Sequence, residues 1–447
     1  LTTAPTTIAA LATPAGTGGI AVVRISGPAV PDIAVAVLDH LPPPRRAVYA
    51  AFYGADHLSI DTGLAVYFPA PHSFTGEHVL ELHAHGAPVV VDILLRRLTE
   101  LGARIARPGE FSERAFLNGK LDLAQAEAVA DLINAGSEIA ARSAMRSLSG
   151  EFSRRVRTIV DATVELRMYV EAAIDFPEDE IDFLADERVR KSSAALGDSL
   201  DALITETRQG YLLQAGMTLV LAGPPNAGKS SLLNALARED AAIVSPTPGT
   251  TRDIVRQRID LDGMPVHVLD TAGLRASADP IEREGVGRAQ TAMAQADRVL
   301  LVVDDAESEC PISYSQIPER VPYTTVRNKI DLSGRAPGVS GSGNRVTVAV
   351  SARTGAGLDA LCAHLKEIKG FAPAGEGGFI ARRRHLDALR RAREHVALGQ
   401  RQLDDHRAGE LLAEELRHAQ QALGEITGEF TPDDLLGRIF SSFCIGK

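Results

Sequence analysis

Apolar positions along the chain change their spacing several times, and the changes divide it. Over residues 1–118 short β-rich runs such as Ile20–Ser26 and Val79–His85 alternate with glycine and proline turns, the pattern of an α+β unit. From Leu121 the period lengthens. Leu123, Ala126, Val129, Ala130 and Ile133 recur at three and four, and Phe152, Val156, Ile159, Val160, Thr163, Leu166 and Val170 continue the pattern, so residues 119–215 read as helical. Asp175-Phe176-Pro177 interrupts this stretch, and a further helix runs towards Gln209-Gly210. Short apolar runs return at Met217–Ala222, Val266–Leu269, Tyr323–Val326 and Val346–Val350, which predicts an α/β module over 216–370. Beyond the glycine-rich Gly370–Gly378, helical spacing resumes at Leu386, Leu389, Val396 and Leu398, and again over Leu411–Ile426. The economical arrangement is one all-α domain, 119–215 plus 371–447, into which the α/β module is inserted, with the α+β domain preceding it. No solenoid-type repeat is present, and 447 residues are too many for a single core.

The first strand of the inserted module opens onto Gly223-Pro224-Pro225-Asn226-Ala227-Gly228-Lys229-Ser230, and a helix-like run follows. The G-x-x-x-x-G-K-S spacing turns backbone N–H groups from Asn226 to Ser231 around phosphate oxygens. It sends Lys229 to the β/γ-phosphates and sets the Ser230 hydroxyl where Mg²⁺ would sit. The helix N-terminus behind the loop adds its own positive end.

Three later boxes choose the nucleotide. The strand Val266–Leu269 ends in Asp270-Thr271-Ala272-Gly273, a carboxylate for the metal and a glycine N–H for the γ-phosphate. Asn328-Lys329-Ile330-Asp331 offers the Asp331 carboxylate to the two donors of the guanine edge, a pair that adenine lacks. Ser351-Ala352-Arg353 follows the last strand, where a backbone N–H meets the guanine carbonyl. Four boxes in this order specify an α/β P-loop GTPase domain. Leu274 stands where Ras-like enzymes carry the glutamine that orients the attacking water, and leucine cannot do that. Glu282 lies a short stretch downstream, within reach of such a water or, equally, a solvated carboxylate at a helix start.

A net charge of −11 excludes a uniformly cationic nucleic-acid coat. Local density exists in two stretches. One is Arg142, Arg146, Arg154, Arg155 and Arg157; the other is Arg382-Arg383-Arg384 with Arg390, Arg391 and Arg393. Each is either a solvated helix face or a polyanion surface. The three cysteines, Cys310, Cys362 and Cys444, form no even framework and no C-x-x-C pair, which predicts reduced thiols and a cytoplasmic compartment. Leu1–Gly16 has no basic n-region, and no apolar run approaches the roughly 18 residues a membrane span needs.

In the N-terminal domain, period-two counting puts Arg24 on the face of Ile20 and Val22, where a charge wants a partner. The same counting sets Glu81, His83 and His85 opposite Leu80 and Leu82. These polar stripes suit a small-molecule pocket, an internal ion pair or an exposed face. As a metal site His83-x-His85 lacks an evident third ligand.

Beside the GTPase boxes stand three further runs: Gly249-Thr250-Thr251-Arg252-Asp253, then Arg107-Pro108-Gly109-Glu110-Phe111-Ser112-Glu113-Arg114-Ala115-Phe116, and the ending Phe443-Cys444-Ile445-Gly446-Lys447. Together they resemble the MnmE (TrmE) family of bacterial and organellar tRNA modification GTPases, along essentially the whole chain. The resemblance implies a one-carbon tetrahydrofolate bound in the N-terminal domain, with Arg24, Glu81 and Lys120 at the family's folate positions and Lys447 contributing if the last helix folds back. It implies a homodimer formed through that domain, an FAD-containing partner (MnmG, also called GidA), and aminomethyl or carboxymethylaminomethyl groups placed on the wobble uridine of tRNA. It also implies a GTPase activated by potassium-dependent pairing of G domains. Asn226, Ser245, Thr247 and Thr250 would face the potassium, Thr251 would join Ser230 on Mg²⁺, and Glu282 would position the water. Cys444 is a thiol beside the folate pocket, a small buried hydrophobe or a lipidation box, the last fitted badly by the Gly446-Lys447 ending. Two rival classes remain: a ribosome-assembly switch of the Era or EngA kind, which wants a KH-type G-x-x-G loop not found after the G domain, and a folate-dependent transferase that acts without a flavoprotein.

Overall fold

The computed structural model describes residues 6–175, 187–239, 256–270, 291–307, 320–342, 346–372, 378–406, 408–430, 433–443 and 446. They fall into two compact units, Leu1–Ala130 with Leu148–Ser193 and Glu394–Lys447, and Asp131–Ser147 with Ala194–Arg393.

The first unit holds a six-stranded sheet built from β1 (Ile8–Leu11), β2 (Gly18–Ser26), β3 (Ala47–Tyr53), β4 (Ser59–Phe68), β5 (Val79–Gly86) and β6 (Arg104–Ile105), in the order β3-β4-β5-β2-β1-β6. All pairs are antiparallel except β1 with β6. One face is apolar at every second residue. Val23, Ile25, Leu80 and Leu82 point into a core closed by Ile33 and Val37 of the helix Val30–Leu38 and by Leu94 and Leu98 of the helix Pro88–Glu100. Completely burying each such side chain is worth about 1.5–3 kcal/mol, which fixes the register and forces the alternate residues, Arg24, Glu81 and His83, onto the other face. At the β1 edge that other face is covered by Phe111 of the helix Glu110–Leu117, packed with Ile8, Ala10 and Ala106. Further helices complete the unit, with Glu151–Asp175 lying along Gly409–Thr427.

The second unit holds β7 (Met217–Ala222), β8 (Arg256–Leu261), β9 (Met264–Asp270), β10 (Arg298–Asp304), β11 (Tyr323–Asn328), β12 (Gly338–Ser340) and β13 (Val346–Ala349), in the order β12-β13-β11-β10-β7-β9-β8. The five central strands are parallel and the two edge strands antiparallel. Near-continuous burial along β7 and β10 is what a sheet covered on both faces requires. Leu232, Leu233 and Leu236 cover one face with Leu358, Leu361 and Leu365, while Ala292 packs on Val220, Leu301 and Val303 on the other. The chain turns in opposite directions on either side of β7, so a crevice opens at the carboxyl ends of the strands, the usual ligand position in such sheets.

Candidate functional site

Everything the sequence assigned to the nucleotide and the structure describes sits at that carboxyl edge. The loop after β7 has a shape that side chains would block. Gly223 has φ +145, and a Cβ there would come within 2.1 Å of the Val302 carbonyl. Gly228 has φ +91, and a Cβ would meet Asn328 Nδ2 at 2.3 Å. Between them Asn226 is itself left-handed, φ 64. Lys229 opens the helix Lys229–Glu239, and its Nζ donates to the carbonyls of Gly223 and Pro224, each at 2.8 Å. Ser230 and Ser231 lie exposed in the first turn, beside the free N–H groups that every helix start presents. Asp270 closes β9 at the same edge.

The base-recognition end is tied to this loop by one side chain. Asn328, buried at the end of β11, donates from Nδ2 to the Ala227 carbonyl at 2.9 Å and accepts the Ala352 N–H on Oδ1 at 3.0 Å. That bond commits the Ala352 N–H, one of the backbone donors the sequence had offered to the guanine carbonyl. Lys329, left-handed at φ 67, reaches Asp304 at 2.6 Å, and this hydrogen bond holds the Asp304 carboxyl below the usual carboxylate range. Asp331 accepts the Ser351 hydroxyl at 2.5 Å and pairs with the Arg353 guanidinium. The Ser351 hydrogen bond, with the charge of Arg353 behind it, lowers its pKa, so the carboxylate is ionised and held in place.

Sequence reading passed over a supporting carboxylate. Asp305, buried just beyond β10, accepts from Arg327 at 3.2 Å, Arg335 at 2.8 Å and Ser333 at 2.5 Å. Burial pushes its pKa up, but these hydrogen bonds outweigh burial and leave it low. The only sequence signal was a pair of acids ending an apolar strand at the ligand edge. Arg298, buried with its Nε on Thr324 Oγ1 at 2.7 Å, was equally unforeseen. Its neighbour His364 is kept neutral by burial and by the Arg298 charge.

In the first unit the face-counted residues do meet. Arg24 and Glu81 are cross-strand partners, Nε to Oε1 at 2.9 Å and Nη2 to Oε1 at 2.8 Å. The guanidinium lies 5.8 Å from the ring centroids of both Phe74 and Phe111, a cation–π arrangement. Glu81 Oε2 faces the buried His83 Nε2 at 3.5 Å, beyond hydrogen-bond length. Lys120 Nζ donates to the Pro71 carbonyl at 3.1 Å, and its stem runs beside Gly76, so it borders the loop that carries Phe74. His85 pairs instead with Asp61 at 2.8 Å, and among the described residues no group of three His, Cys, Asp or Glu is placed to hold a metal ion.

Ser245, Thr247, Gly249, Thr250, Thr251, Asp253, Gly273, Glu282, Cys444 and Lys447 lie outside the described residues. No helix among the described residues is long and apolar enough to cross a membrane. The first arginine stretch is heavily ion-paired: Arg142 with Glu138, Arg154 and Arg155 with Glu151, and Arg157 with Asp122.

Residues 7–120 match the family model "GTP-binding protein TrmE N-terminus", and residues 123–444 match "MnmE helical domain". A tRNA modification GTPase MnmE of Alkalilimnicola ehrlichii is 60% identical over 444 residues, 99% of this chain and 100% of that protein. One of Vibrio parahaemolyticus is 54% identical over 449 residues, covering 99% of each. Among solved structures, a single-substitution variant of Aquifex aeolicus Era bound to GDP.AlF4- shares 27% identity over 41% of this chain and 67% of that one, with a TM-score of 0.27. Two family models and full-length relatives at this identity leave one assignment: the chain belongs to the MnmE family of tRNA modification GTPases.

Proposed function

We propose that the protein hydrolyses GTP to drive modification of the wobble uridine of tRNA, using a one-carbon tetrahydrofolate together with an FAD-containing MnmG-type partner to add an aminomethyl or carboxymethylaminomethyl group. The full-length relatedness supports the GTPase and tRNA half and counts against an Era-like switch. The observation that carries the folate half is the Arg24–Glu81 pair in the N-terminal domain, a carboxylate fixed by a guanidinium that itself lies against the rings of Phe74 and Phe111. A pterin is a flat ring with an edge of N–H donors, and these residues fit both features. Bound folate would supply the one-carbon unit; Arg24 orients Glu81, Glu81 takes the donor edge, and Lys120 and Lys447 complement the folate's carboxylates.

At the other site Lys229 and the N–H groups from Asn226 to Ser231 bind phosphates, with Thr250 and Gly273 completing the γ-phosphate contacts. Ser230, Thr251 and Asp270 are the Mg²⁺ positions, and Asp331 reads guanine beside Lys329, Ser351 and Arg353. Asn226, with Ser245, Thr247 and Thr250, would hold potassium, whose positive charge would serve where two G domains pair, and Glu282 would position the water. The exposed left-handed Asn226 is compatible with a role at such an interface. Homodimerisation through the N-terminal domain is supported by the open face of its sheet. There Tyr49, 73% exposed, and Leu64, 42% exposed, form one cross-strand row with His83 and Val22. The deciding experiment is reconstitution with tRNA, GTP, the flavoprotein and folate, reading the wobble nucleoside by mass spectrometry. A folate-dependent mass increase is expected. Modification without the flavoprotein, or without folate, would refute the scheme.

A further inference from the structure

The second arginine stretch has no place in either site. Between Arg382 and Arg393 the sequence carries six arginines and one acidic residue, Asp387. Two of the six are structural: Arg382 is bound to Asp131 at 2.8 Å and Arg393 to Asp201 at 3.0 Å. Arg383 and Arg390 share Asp387 at 3.7 and 3.8 Å, too far for a hydrogen bond, and their side chains are 81% and 55% exposed. Seven residues apart, they lie on one side of the helix Arg383–His406, about 10 Å apart along its axis. Arg391 is exposed beside them and Arg384 half-buried.

This placement works against the fold. The first turn of the helix holds no acid, so Arg383 and Arg384 sit at its positive end, where a cation is unfavourable. The apolar residues of the same turns, Leu386, Ala388, Leu389 and Ala392, are all buried, so the exposed strip offers a protein partner no apolar anchor of the kind interface cores use. It offers guanidinium forks alone, on a chain whose net charge is −11.

We propose that the exposed arginines of this helix start, led by Arg383 and Arg390, form a docking strip for the phosphate backbone of the tRNA substrate. The proposal rests on tRNA being the substrate, and its test separates the two. An unmodified, fluorescently labelled tRNA transcript is titrated with the intact protein by anisotropy between 50 and 200 mM KCl. Each phosphate contact steepens the salt dependence by about 0.7–0.9 in log–log slope, or roughly threefold in affinity over that fourfold salt range. Arg383→Ala with Arg390→Ala should therefore reduce the slope by about 1.5 and weaken binding severalfold at 50 mM. GTP hydrolysis without tRNA should be unchanged, and Arg154→Ala, from the ion-paired stretch, should match wild type. A double variant with wild-type affinity and slope overturns the strip while leaving the tRNA reading intact. So does a variant that keeps its tRNA affinity but loses the flavoprotein, which would make the strip a protein contact. Failure of the wild-type chain to bind tRNA at 50 mM overturns both.

Discussion

If Asp331 reads the guanine edge, Asp331→Asn should exchange one base preference for another. The carboxylate is held by the Ser351 hydroxyl at 2.5 Å and by Arg353. Guanine approaches with two donors, N1–H and the 2-amino group, both directed at an ionised acceptor. An amide presents one oxygen and one NH₂. Ser351 can still donate to the oxygen, so the loop stays anchored, and the lost ion pair involves an Arg353 that is 72% exposed, where such pairs contribute little. Protein stability should hardly change. Nucleotide binding should change greatly. One charge-assisted hydrogen bond is weakened and the other becomes a donor facing a donor, each worth about ten- to a hundredfold in affinity, so GTP should bind roughly 10²- to 10⁴-fold more weakly. Xanthosine triphosphate, with a carbonyl in place of the 2-amino group, should regain most of that loss because the asparagine NH₂ now has an acceptor. Competition titration against a fluorescent guanine nucleotide measures both affinities. A variant that binds GTP within threefold of wild type, or shows no gain for the xanthine nucleotide, refutes the assignment.

Breaking the Arg24–Glu81 pair from either side, as Arg24→Ala or Glu81→Ala, should weaken tetrahydrofolate binding by tenfold or more in calorimetry while GTP turnover is unaltered; equal folate affinity in both variants would move the pocket elsewhere. Glu282→Ala should leave nucleotide affinity nearly intact and slow hydrolysis by about 10²-fold or more, and full turnover would mean that another group orients the water. Hydrolysis in potassium should exceed that in sodium at equal ionic strength, accompanied by G-domain pairing; equal rates in the two salts would remove the potassium mechanism. A fourth outcome concerns stability. Burial raises the Glu110 pKa, but hydrogen bonds from Arg104, the Arg107 N–H and Arg114 outweigh it and hold the carboxyl at about 2, below its ordinary 4.5. The depressed folded value means this group stabilises the fold above pH ~4.5, by about 3 kcal/mol, and loses that contribution as pH falls from there towards 2. Glu110→Gln should cost about 3 kcal/mol in urea unfolding at pH 7 and about half that at pH 3; a deficit independent of pH would show that the ion cluster is not its source.

The parts of this protein that were legible in its sequence are those whose geometry is local. A phosphate loop is eight consecutive residues between a strand and a helix, and the glycines that permit its left-handed turns are in the motif itself. Face counting found Arg24 and Glu81 because a buried strand face leaves alternate residues only one side to occupy; that they pair depended on β2 lying beside β5 in the register Arg24↔Glu81. What escaped was whatever depends on strand order. Asn328 joins Ala227, 101 residues away, because β10 alone separates β7 from β11. The acids that tether Arg382 and Arg393 lie 251 and 192 positions away, so a run of arginines looked uniform until distant carboxylates divided it into structural and exposed members.

Strand order also joins functions that the boxes keep apart. The phosphate loop and the base loop are separate motifs in sequence, yet the buried Asn328 amide spans both, donating to one and accepting from the other. Gly228 is held to glycine by that same amide, since any Cβ would strike its nitrogen. A displacement of either loop must therefore break a hydrogen bond of this buried amide or carry the other loop with it, so the two loops behave as one element. The residues assigned to hydrolysis, Thr250, Thr251 and Glu282, belong to other stretches of the chain, outside this amide-bridged pair of loops. On the proposed assignment the nucleotide is gripped by a pre-formed half built on β7, β11 and β13, and the selectivity of binding is set there, apart from the residues assigned to hydrolysis.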